Sequence, residues 1–85
     1  MALYYFHVRN GLGFTRDEEG QELADEDAAM DVALRSVRSL VAAEATEGRI
    51  DLRGRIEVTD RQGGPVFALA FEDAVELMTG EPPDV

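Results

Sequence analysis

The chain contains no cysteine and no lysine, and His7 is its only histidine in 85 residues. Without cysteine, disulfide staples and zinc–thiolate sites are excluded, and a single imidazole is too few for a nitrogen-rich metal site. A domain of this size buries only about 60% of the surface its unfolded chain exposes. Disulfides, metals or oligomerisation are the usual supplements, and of these self-association remains. Long apolar runs are also missing. None approaches the roughly 18 residues of a membrane-crossing helix, and Met1–Arg9 lacks the basic start and extended apolar stretch of a signal peptide. The expectation is a cytoplasmic protein with no membrane partner. Positive charge is scarce too: eight arginines stand against 18 carboxylates, for a net charge of −10. That balance argues against nucleic acid and anionic membranes, which are held by cationic side chains.

What the chain has in abundance is carboxylate, and it is clustered. Eight lie between Asp17 and Asp31 with no basic residue among them: Asp17, Glu18, Glu19, Glu22, Asp25, Glu26, Asp27 and Asp31. The second half carries the opposing cluster, Arg49, Arg53, Arg55 and Arg61.

Periodicity outlines the fold. Leu3–Arg9 is aromatic and β-branched, which predicts a strand. Its alternation puts Tyr4, Phe6 and Val8 toward the core and Leu3, Tyr5, His7 and Arg9 on the other face. Asn10–Gly13 has hairpin-turn composition, with Phe14–Arg16 as a short return strand closed by Asp17–Gly20. Asp25 is placed to cap a helix running to about Glu47 and stopping at Gly48. Met30, Ala33, Leu34, Val37, Leu40 and Val41 form its apolar stripe, while Asp27, Asp31, Arg35 and Arg38 face water, with Asp31 and Arg35 paired. Arg55–Thr59 and Val66–Phe71 make a second hairpin about Asp60–Gly64. There Phe67, Leu69 and Phe71 share one face, and Val66, Ala68 and Ala70 the other. A short helical turn is expected within Glu72–Met78.

The predicted fold is α+β: a four-stranded antiparallel sheet (ββαββ) with one long helix packed on one face. A single domain spans residues 1–78, and 79–85 form a flexible tail.

Tyr4-Tyr5-Phe6-His7-Val8-Arg9-Asn10-Gly11, followed by Asp17-Glu18-Glu19-Gly20, Gly54–Val58 and Phe71–Glu76, resembles a domain-of-unknown-function family of small, mostly alphaproteobacterial proteins. The likeness covers residues 3–77, and Y-x-F-H-x-R-N-G is its most specific part. The family has no assigned activity, so the resemblance implies no catalytic or binding residue. More loosely, a hairpin before an acid-capped helix is similar to antitoxins of the HicB type. Those place three strands before the helix, where two are read here.

No constellation in the chain points to catalysis. Asp17, Glu19 and Glu22 around Gly20 lack the spacing of a calcium loop, and a solvated turn followed by acids matched to the dipole of a helix start accounts for them. His7 would need Ser36 or Ser39 as a nucleophile, but both lie within a helix with no sharp turn to expose them. Tyr5 and His7 on one strand are similar to a base-stacking platform, without the positive field such platforms need. Asn10–Gly13 lacks the G-K-[ST] ending of a phosphate loop.

The resulting expectation is a non-enzymatic interaction domain with no cofactor. It would form a homodimer through Leu3, Tyr5, His7, Val66 and Ala68, and meet a basic protein partner through Asp17, Glu18, Glu19 and Glu22. The alternative is an antitoxin-like neutraliser of a basic toxin or nucleic-acid-binding protein.

Overall fold

A computed structural model describes residues 1–84. Its longest strand, β1 (Ala2–Asn10), has nine residues and is the strand about which the sheet is arranged. On one side it pairs along its second half with β4 (Arg55–Thr59), which in turn pairs with β5 (Pro65–Ala70). On the other side it is flanked by two three-residue strands, β2 (Gly13–Thr15) against Val8–Asn10 and β3 (Gln21–Leu23) against Ala2–Tyr4. All pairings are antiparallel.

The sheet therefore has five strands, and the order is βββαββ in place of the expected ββαββ. Gln21-Glu22-Leu23 carries no β-branched residue and is too short for alternation to register. It becomes a strand because β2 occupies only the far end of β1, leaving backbone donors and acceptors at Ala2–Tyr4 that need partners.

The helix α1 (Glu26–Thr46) begins and ends where the sequence indicates. Asp25 accepts the Ala28 amide on its side chain at 2.9 Å, and the chain leaves the helix through Glu47 and Gly48. Its buried line is Ala29, Ala33 and Val37, flanked by the half-buried Met30, Leu34 and Val41. Leu40, expected in the stripe, is instead 36% exposed. The line is rotated toward alanines because small side chains let the helix approach the sheet closely, where Ile56, Val58 and Leu69 fill the space.

One arginine pairing changes, and a second arginine, exposed as expected, finds a partner the helix pattern does not show. Arg35 donates to the Asp31 backbone carbonyl rather than to its carboxylate, at 3.4 Å. Arg38 donates from Nε to the Ala74 carbonyl at 2.9 Å, tying α1 to a second helix, α2 (Phe71–Ala74). That helix begins at Phe71, earlier than expected and outside the strand, and Phe71 is fully buried. Its amide donates to the Gly54 carbonyl, and a Cβ on Gly54 would lie 2.7 Å from the Arg9 carbonyl and 2.8 Å from the Phe71 ring. Only glycine admits so close an approach. Beyond α2, residues 76–84 are exposed and have no regular structure; the last residue of the expected tail, Val85, lies outside the described residues.

Val37→Ala is expected to cost about 1–3 kcal/mol, and Gly54→Ala a similar amount because strand β1 or Phe71 must shift. Arg38→Ala should lose about 1 kcal/mol through its single hydrogen bond, with faster amide exchange in α2. Urea denaturation midpoints check all three, and equal midpoints for Val37→Ala and wild type would place the helix in another register.

Candidate functional site: the open sheet face and its acidic corner

The helix covers one face of the sheet, and no described element covers the other. Alternation along β1 sends Leu3, Tyr5, His7 and Arg9 to this open face, as the pattern predicts. The rings of Tyr5 and His7 stack nearly parallel with centroids 6.2 Å apart, and His7 meets Phe14 of β2 at 5.8 Å. The Arg9 guanidinium sits 4.7 Å above the Phe14 ring, a cation–π contact. These rings line a trough of about 630 Å³ bounded by Asp17 and Glu18 on one side and the Thr59–Gly63 turn on the other.

Glu57, which also lines the trough, accepts from Arg55 at 2.7 Å and from Arg9 at 3.2 Å. The Arg55 bond, then the Arg9 bond, hold the Glu57 carboxyl below its ordinary range against a smaller opposing effect of burial. Another pair neutralises itself: Arg53 binds Asp51 through two side-chain bonds of 2.9 Å, which bring the Asp51 carboxyl down to about 2.

His7 has no free nitrogen. The Asp17 amide donates to Nδ1 at 3.0 Å, which leaves the ring proton on Nε2, where Thr59 Oγ1 lies at 3.0 Å to accept it. Ser36 and Ser39 line a different depression of about 560 Å³ on the helix side, with Phe6, Val8, Val32 and Leu40. The sheet thus separates His7 from both serines.

Asp17 departs most from expectation. It was expected at a contact surface, but its carboxylate is turned into the sheet edge. Oδ2 accepts the Phe6 amide at 3.0 Å, and Oδ1 accepts the Glu19 and Gly20 amides, each at 3.1 Å. Phe6 lies in the gap of β1 between the segments paired with β2 and β3, so the carboxylate stands in for a missing strand. Gly20 completes the corner with φ +73°; a Cβ there would lie 3.0 Å from the Tyr4 carbonyl and 3.1 Å from the Tyr5 ring. Burial raises the Asp17 carboxyl, but the amides of Phe6, Gly20 and Glu19, helped by His7, outweigh it and hold the group below its ordinary value.

Of the other expected site residues, Glu18, Glu19 and Glu22 are exposed, and Glu18 lines the trough. Leu3 and Ala68 are where alternation places them. Val66 is not: it packs against the core because a bulge sets Thr59 opposite Pro65, skipping one residue of β5. The residues that sequence reasoning missed here are Phe14, Thr59 and Asp60. Phe14 was legible as an aromatic in a return strand; Thr59 and Asp60 become neighbours only through β1–β4 pairing. Among the described residues, no three His, Asp or Glu side chains converge as a metal site, and no helix is long and apolar enough to cross a membrane.

A depressed carboxyl contributes stability that is complete above its unfolded value of about 3.9 and lost as pH falls through the lower folded value. Asp17→Ala should cost about 1–3 kcal/mol at pH 7. Asp17→Asn should be destabilised at pH 7, with a gap to wild type that narrows toward pH 2 as the carboxyl protonates, since an amide supplies one acceptor oxygen and does not titrate. Urea midpoints at both pH values check this; an unchanged gap at pH 2 would mean that the carboxylate charge is not what holds the corner.

No curated protein and no solved structure matched the chain in comparison searches. Residues 3–72 match the family described as Domain of unknown function (DUF6894), a stretch that runs from the second residue of β1 through β5 to the start of α2. The chain belongs to that family.

Proposed function

We propose that this chain is a non-enzymatic interaction domain that takes a basic protein partner on its open sheet face. The observation that carries the reading is the uncovered trough, in which Tyr5, His7 and Phe14 lie beside Asp17, Glu18, Glu57 and Asp60, with Arg16 and Arg61 as the only cations among its lining residues. Asp17 and Glu57 are already engaged by amides and arginines, so an arginine or lysine side chain entering the trough meets its aromatic faces together with the Glu18 carboxylate and Asp60 Oδ2, the pairing that suits a cation. The Arg9–Phe14 contact is an example within the chain itself.

The net charge of −10 and the exposed Glu18, Glu19 and Glu22 would draw such a partner from a distance. Both nitrogens of His7 are engaged and the serines lie across the sheet, which supports a binding role over catalysis. The lack of cysteine fits an interaction in the reducing cytoplasm. A homodimer across this face would have to desolvate the Arg9–Glu57–Arg55 cluster, so self-association is better served by another surface.

A second reading is the antitoxin-like one. It is supported by β3, which brings the strands before the helix to three, the number in HicB-type antitoxins. It requires a basic toxin encoded beside this chain.

Titration of the isotopically labelled protein with an oligoarginine peptide tests the main reading by NMR. Shifts are expected at Tyr5, His7, Phe14 and Thr59, with affinity that falls as salt is added. Tyr5→Ala should weaken binding about tenfold, and joint replacement of Glu18, Glu19 and Glu22 by Gln should slow association and flatten the salt dependence. Shifts confined to the acidic first turn of α1, with Tyr5→Ala binding as wild type, would overturn the trough as the site.

A further inference from the structure

The two edges of the sheet are treated differently. The β1 edge is closed three times over, by β2, by β3 and, in the gap between them, by the Asp17 carboxylate on the Phe6 amide. The β5 edge ends the strand order, and no described strand pairs with its outer side. Residues 76–84 are exposed, and among the described residues none of their backbone groups bonds to β5.

Exposed strand edges are usually blunted by charge, proline, a bulge or a covering segment. In β5 only its first residue is proline, and the bulge lies at that same end. Gln62–Phe71 is the longest uncharged run in the chain. Because the Phe71 amide donates to the Gly54 carbonyl, alternation turns the amides and carbonyls of Leu69 and Phe67 toward β4. Those of Ala68 and Ala70 point outward, and Ala68 is exposed.

We propose that this edge pairs with the same edge of a second copy, antiparallel about a two-fold axis at Ala68, to make one continuous sheet across a homodimer. The charges that flank β5 select this occupant. Arg61 precedes the strand and Glu72 and Asp73 follow it, none of the three with an ion-pair partner among the described residues. Asp60, beside Arg61, turns Oδ1 to the Gln62 and Gly64 amides of its own turn. Antiparallel self-pairing sets Arg61 of each copy at the end that carries Glu72 and Asp73 of the other, so opposite charges meet twice. Parallel pairing would set like against like. For two chains of charge −10 an uncharged strand also limits the repulsion between the paired segments. The alanine side chains leave room for close approach, and each copy keeps its open face free. The inference is independent of the basic-partner reading, because it uses a different surface and a different occupant.

Sedimentation and light scattering test it. Wild type is expected at twice the 9.3 kDa chain mass. Ala68→Pro removes an outward amide that has no partner within the chain, a change an edge strand tolerates. Ala68→Lys instead opposes two like charges across the axis. Each should weaken dimerisation by at least about tenfold, with the circular dichroism of the monomer unchanged. Should Ala68→Pro fail to fold, Ala68→Lys decides alone. Arg61→Glu should weaken the dimer, and adding Glu72→Arg and Asp73→Arg should restore it. A wild type that stays monomeric at millimolar concentration overturns the proposal, as does a dimer that survives both Ala68 variants or ignores the charge exchange.

Discussion

The Asp17 carboxylate does for the edge of β1 what a neighbouring strand would otherwise do. A nine-residue strand cannot be covered by two three-residue strands, and the shortfall falls on the Phe6 amide. One oxygen of Asp17 satisfies that amide while the other gathers the Glu19 and Gly20 amides, so a single side chain joins the sheet to the corner that leads into β3. The Asp17 amide then binds His7, His7 faces Thr59, and the chain of bonds crosses from the edge to β4. An ionised acceptor suits this position, because hydrogen bonds to a charged group are stronger than those between neutral ones.

The carboxylate-rich segment that dominates the composition is therefore not one feature but several. Asp17 belongs to the sheet, Asp25 to the helix cap, and Glu26 and Asp27 to the first turn of α1, where the helix dipole favours negative charge. Glu18, Glu19 and Glu22 are left exposed with no such side-chain duty among the described residues. The arginines divide in a similar way. Arg53 and Arg55 are committed to Asp51 and Glu57, and Arg38 holds α2 against α1. Charges that a linear reading groups by proximity are separated by what each one touches.

Packing on the helix side follows a compact logic. Ala29 and Ala33 bring α1 close enough for Val37, Ile56, Val58 and Leu69 to interlock, and Phe71 closes the lower end against Gly54. The open side has no such layer. Its rings and ion pairs are arranged laterally, along and across strands, which leaves their outer surfaces free.

Local physics in the sequence was enough to determine the class of the fold, the face assignments along β1, the cap at Asp25, the end of α1 near Gly48 and the β4–β5 hairpin. Each depends on periodicity or on a side chain bonding a backbone a few residues away, and such information is local. The open aromatic face was legible for the same reason, as Tyr5 and His7 share a parity. Tertiary structure alone decided the remainder. β3 exists only because β1 lacks a partner there, and no property of Gln21-Glu22-Leu23 announces it. Asp17 could be read as an exposed acid until the register brought it to Phe6, eleven positions earlier in the chain. Val66 changed faces because one skipped residue at the bulge reverses parity, and Arg38 and Gly54 acquired their roles from α2 folding back against them. Each of these rests on contacts between distant segments, whose partners are set by the pairing of the whole sheet.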